Sequence, residues 1–139
     1  MPRQPDKKEL RENRKAQMLL AWKADGGANA SPLHAYWKKE FGKKWEYKLI
    51  DPPHHILSRD NSGKYDGVEF LITLNRLEHR MCEDGCKPLK LTGIEYMWLV
   101  LWLLNGKENN RWDRARALLG RKIAHKRMGE IIKLGETLI

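Results

Sequence analysis

The chain has 139 residues and a formal net charge of +9, from 27 Lys and Arg against 18 Asp and Glu. At 16.3 kDa with a pI near 9.7 it is expected to be one domain with a polyanionic partner, bound in a way that weakens steeply with salt. The longest apolar run, Tyr96 to Leu104, is too short for a transmembrane helix. No secretory-type apolar region lies in the N-terminal segment, and two cysteines are too few for a disulfide framework, so an intracellular protein without a membrane partner is expected.

Residues 6–24 read as an exposed basic helix in which Glu, Lys and Arg alternate, with Leu10, Met18, Leu19, Leu20 and Trp22 making the apolar contacts. Asp25-Gly26-Gly27 ends it, and Ser31-Pro32 caps a short helix through Ala35, Tyr36 and Phe41. After a break at Gly42-Lys43-Lys44, Trp45 to Leu57 alternates loosely around Pro52-Pro53, which predicts an extended, interrupted strand. The polar segment 58–68 reads as a surface loop, and Phe70 to Leu74 as a second short strand. Asn75 and Glu78 have capping-box spacing, opening a helix to about Glu83 that stops at Asp84-Gly85.

Cys82 and Cys86 lie at that stop; lacking the second pair of a zinc knuckle, they read as reduced thiols beside a turn. Thr92 and Glu95 repeat the capping-box spacing before an apolar helix through Leu104, ended by Asn105-Gly106. Helical segments at 111–119 and 121–134 follow, punctuated by Gly120 and Gly135. The expected fold is α+β and mainly helical. A basic helical part (1–44) and C-terminal helices (87–139) flank a central ββα unit (45–86).

That central unit carries the chemistry. His54 and His55 stand side by side on an apolar, strand-like segment, and His79 lies in the first turns of the following helix. Imidazoles so placed can hold a divalent cation and supply a general base, and the two roles need different rings. The assignment is His54 and His79 as metal ligands and His55 as the base. Glu83, four residues after His79, shares its helical face and can complete the metal shell or hold water. Adjacent strand residues face opposite sides, so His54 and His55 converge only on irregular backbone, which Pro52-Pro53 would provide. Metal, base and polyanion affinity together point to hydrolysis of a nucleic-acid phosphodiester.

The stretch PPHHILSRDNSGKYDGVEFLITLNRLEHRM resembles the HNH endonuclease motif, the ββα-metal site of phage nucleases, homing endonucleases and nuclease colicins. EFLITLNRLEH is similar to the family's "ENL-TL---CH" run, and the colicin register of a His pair, an Asn fifteen on and a His nine later leads from His55 through Phe70 to His79. The resemblance makes His54 and His79 ligands and His55 the base. It departs where Phe70 stands for the family's middle Asn, with Asn75 as substitute in the catalytic set, and where Glu83 stands for a further His.

What the resemblance implies is a DNA endonuclease using one divalent ion: Mg²⁺, Mn²⁺, or Zn²⁺, which can bind without being the working metal. It would nick as a monomer. Phage-encoded members often serve with a terminase in genome processing, which would place the chain in the host cytoplasm. Phosphate contacts are expected from Lys43, Lys44, Lys48, Arg59, Arg76 and Arg80, with Lys48 where the colicin pattern carries a phosphate-binding Arg. Arg114, Arg116, Arg121, Lys122, Lys126 and Arg127 would extend the surface. Trp37, Trp45, Trp98, Trp102 and Trp112 are mostly core candidates that could also stack on bases. The competing expectation is a non-catalytic basic protein, binding nucleic acid or a phage host's protein.

Overall fold

The computed structural model describes residues 6–25, 31–46, 53–57, 63–104 and 111–139. In chain order the described elements are α1 (Lys7–Ala24), α2 (His34–Phe41), α3 (Lys43–Glu46), β1 (His54–His55), β2 (Leu71–Ile72), α4 (Arg76–Asp84), α5 (Gly93–Leu103), α6 (Asp113–Gly120) and α7 (His125–Leu138). Among the described residues the protein is mainly helical with one small antiparallel sheet, in which His54 pairs with Ile72 and His55 with Leu71.

At the centre is α5. Beyond Glu95 in its first turn it is apolar, and Tyr96 through Leu101 are all buried, as expected of a core helix. Its start is fixed by a complete capping box: Thr92 Oγ1 accepts from the Glu95 amide, and Glu95 accepts from the Thr92 amide. Helices α4, α6 and α7 pack on it. Gly93 is where α5 meets α4, since a Cβ there would stand 2.2 Å from the Cys82 carbonyl oxygen. Only glycine permits that approach.

A two-residue ribbon has little stability of its own, so its neighbours must hold it. The Trp112 indole donates to the Leu71 carbonyl at 2.9 Å, and Asp25 at the end of α1 accepts from the Thr73 amide at 2.8 Å. Asp25 also pairs with Arg111, and Gln17 of α1 accepts from the Val68 amide at 3.0 Å. Helix α1 is thus pinned across the ribbon.

Several expectations change. Trp45 does not open a strand: it lies in α3 and is buried, its indole N–H donating to His34 Nδ1 at 2.9 Å. The tertiary contact overrides the loose alternation. Phe70 ends a single 3-10 turn, Val68–Phe70, so β2 is shorter than expected. On α1 only Leu10 and Ala21 are buried, while Leu19, Leu20 and Trp22 are exposed. Gly135 does not end a helix; α7 runs through it, and a Cβ there would meet Leu99 Cδ1 at 2.7 Å. Close packing on α5 selects the glycine. Trp37, Trp45, Trp98 and Trp112 are buried and Trp102 is exposed. The turns expected at Gly26-Gly27 and Asn105-Gly106, and residues 58–62 of the 58–68 loop, lie outside the described residues.

Candidate metal centre

Helix α4 begins at Asn75, whose side-chain oxygen accepts from the Glu78 amide at 2.8 Å, and ends at Gly85. The first turn therefore holds His79 over the end of β1. The His54 and His79 rings meet edge to face with centroids 4.4 Å apart. One helical turn on, Glu83 Oε1 lies 3.0 Å from His79 Nε2. One ligand atom from each of His54, His79 and Glu83 falls within a mutual separation of 4.8 Å.

This set fits a divalent cation. Two imidazoles and a carboxylate suit zinc, manganese and related ions, and three protein ligands leave coordination positions open, as catalytic sites require. His54 is half-buried, and burial first, then the neighbouring His79 and His55, lower its pKa to about 4. It is therefore neutral at pH 7, the form that ligates. Glu83 is mostly exposed, so the site opens to solvent on that side.

His55 does not join the cluster, and the irregular backbone expected at the histidine pair is not found. Both residues sit in regular antiparallel register, so the alternation of a strand separates them. His55 Nε2 instead lies 3.1 Å from Oδ1 of Asp66, a carboxylate with no exposed side-chain surface. Arg14 of α1 donates from Nε to the other oxygen at 2.9 Å. Imidazole, buried carboxylate and guanidinium thus form a chain that fixes the His55 ring. Sequence reasoning missed both partners. Asp66-Gly67 read only as turn residues, although an Asp in the loop beside a candidate base was a signal to weigh.

The remaining site residues divide. Asn75 serves as the cap of α4 and Phe70 is buried edge-on to Tyr65, so neither side chain joins the cluster. The capping box expected at Asn75 and Glu78 is only half formed. The Glu78 carboxylate is instead buried, accepting from the Ser31 and Tyr96 hydroxyls at 2.6 Å each, and burial raises its pKa. This network fixes α4 against α5 one residue before His79. Lys43 and Lys44 on α3 and Arg76 and Arg80 on α4 are exposed; Lys48 and Arg59 lie outside the described residues. Of the C-terminal set, Arg127 is tied to Glu95 and Glu130, and Arg116 to Asp113, while Arg114, Arg121, Lys122 and Lys126 are exposed. Cys82 and Cys86 are free thiols, Cys86 buried in a bridge to Leu91. No described helix is long and apolar enough to cross a membrane. The chain matches no family model, no curated protein and no solved structure.

Proposed function

We propose that the chain is a divalent-metal-dependent endonuclease of the HNH type that hydrolyses DNA phosphodiester bonds, with β1, β2 and α4 as its ββα-metal centre. The observation that carries this reading is the convergence of His54, His79 and Glu83 within 4.8 Å, with the next strand residue, His55, held by a buried carboxylate. His54, His79 and Glu83 would hold the ion. When bound, a divalent cation neutralises charge on the phosphoryl oxygens and the departing 3′ oxygen.

The chain's own residues supply the rest. Asp66 accepts the Nε2 proton of His55, which leaves the lone pair on Nδ1; because strand alternation separates His55 from His54, that nitrogen would take the proton of the attacking water through one intervening water. Arg14 donates to the other oxygen of Asp66 and holds it in place. Asn75 acts as a positioning residue, fixing the start of the helix that carries His79. Lys43, Lys44, Arg76 and Arg80 contact phosphates without reading sequence. One site per chain cuts one strand.

A second reading, a non-catalytic DNA-binding relative, is favoured by Phe70, whose buried ring cannot pin the loop as the family's Asn would. Nicking of supercoiled plasmid separates the two. The nuclease reading expects relaxed circles with Mg²⁺ or Mn²⁺, none with chelator, and a loss of about 10²–10⁴-fold in His55→Ala. Undiminished nicking by His55→Ala, or nicking that ignores chelator, would overturn it. DNA binding without any nicking would establish the second reading.

A further inference from the structure

Helices α5, α6 and α7 border an open cleft of about 440 Å³ that shares no residue with the histidine cluster. Its walls carry Trp98, Trp102, Asp113, Arg116, Gly120 and Arg121. We propose that this cleft binds one nucleotide unit of single-stranded nucleic acid, its base stacked on Trp102 and its phosphate on Arg121.

Trp102 is 37 % exposed, unusual for so large an apolar ring. It stacks on Trp98 with centroids 5.5 Å apart and planes at 21°, and Trp98 is itself buried. One indole face is thereby backed by rigid core, and the exposed remainder opens on the cleft. Such a platform accepts any base, because every base has a π-face.

The charges divide unequally. Asp113 neutralises Arg116 at 2.7 Å, and Arg116 also reaches the Leu101 carbonyl. Arg121 is exposed and has no carboxylate partner among the described residues, so the mouth of the cleft holds one uncompensated guanidinium, followed by the exposed Lys122. A third group points the same way. Nothing among the described residues accepts the N–H of the buried Trp98 indole. A Cβ on Gly120 would stand 3.4 Å from that nitrogen, so the glycine leaves the donor open to the cleft.

Stacking face, cation and the cleft-facing indole N–H together match base, phosphate and an acceptor oxygen. The volume falls in the range of small-ligand sites, enough for one nucleotide unit. An acidic protein segment would satisfy Arg121 but would not use the indole face.

The test is fluorescence titration of the full chain with a short oligothymidylate in EDTA, which keeps it independent of the metal centre and of His55. Binding should quench tryptophan emission. Trp102→Ala should bind about 5- to 150-fold more weakly. Arg121→Ala, which removes no described contact, should weaken binding and lower the salt slope by about 0.7, the equivalent of one phosphate. Lys87→Ala, on an exposed turn elsewhere, should match wild type. An abasic chain of equal length should compete poorly. Wild-type affinity in both Trp102→Ala and Arg121→Ala would overturn the proposal. So would displacement by the abasic chain or by polyglutamate as effective as that by oligothymidylate itself.

Discussion

Replacing Asp66 by Asn preserves shape and removes one charge. In the folded protein that carboxylate is fully enclosed, accepting at 3.1 Å from His55 and at 2.9 Å from Arg14. An amide there can turn its NH₂ toward His55 Nε2, which moves the ring proton to Nδ1 and removes the lone pair assigned to catalysis. The same substitution in Ser-His-Asp hydrolases costs about 10⁴ in kcat. We expect a fall of about 10²–10⁴ in single-turnover nicking, equivalent to about 3–5 kcal/mol of activation free energy. Arg14 is 23 % exposed and can recover some hydration, so the stability cost should be about 1–3 kcal/mol, below that of a fully buried broken pair. Urea unfolding checks that the variant is folded, and a metal titration checks that the His54–His79–Glu83 cluster still binds. Folded, metal-loaded Asp66→Asn protein cutting at the wild-type rate would refute the role given to the His55–Asp66 contact.

The depressed pKa of His54, about 4 when folded against roughly 6.5 unfolded, makes the metal-free protein less stable in acid. The unfolded chain binds more protons between those values, so stability is full above about pH 6.5 and falls by about 3 kcal/mol as pH drops through 4. Urea midpoints should follow that slope in wild type and not in His54→Gln; equal slopes would contradict it. Asn75→Ala should remove the cap of α4 at a cost of about 1 kcal/mol. Nicking should then change only modestly, whereas a loss beyond 10²-fold with metal affinity intact would show Asn75 acting on the substrate. Leu99→Ala empties a fully buried position against Gly135 and should cost about 2–5 kcal/mol in urea unfolding. A cost below 1 kcal/mol would mean that α5 and α7 are not packed as described.

Local features were legible in the sequence and long-range ones were not. The Thr92–Glu95 capping box, the Asn75 cap and the approach of Glu83 to His79 all follow from three- or four-residue spacing on a helix. Glu78 has the same spacing from Asn75. It does not close the box because hydroxyls from Ser31 and Tyr96, far away in the chain, capture its carboxylate. Asp66 sits between turn glycines, and only the folding of α1 across the ribbon brings Arg14 to it, 52 positions away in sequence. Gly135 looked like a stop because glycine ends helices. What decides there is the contact with Leu99, which no periodicity announces.

Catalysis of the proposed kind needs one cation shared by His54, His79 and Glu83. Calorimetric titration of metal-free protein with Zn²⁺ and Mn²⁺, beside the double variant His54→Ala/His79→Ala, measures this directly. One ion per chain is expected in wild type, and loss of that binding in the folded double variant. Unchanged affinity in the double variant, or no binding by wild type, would contradict it.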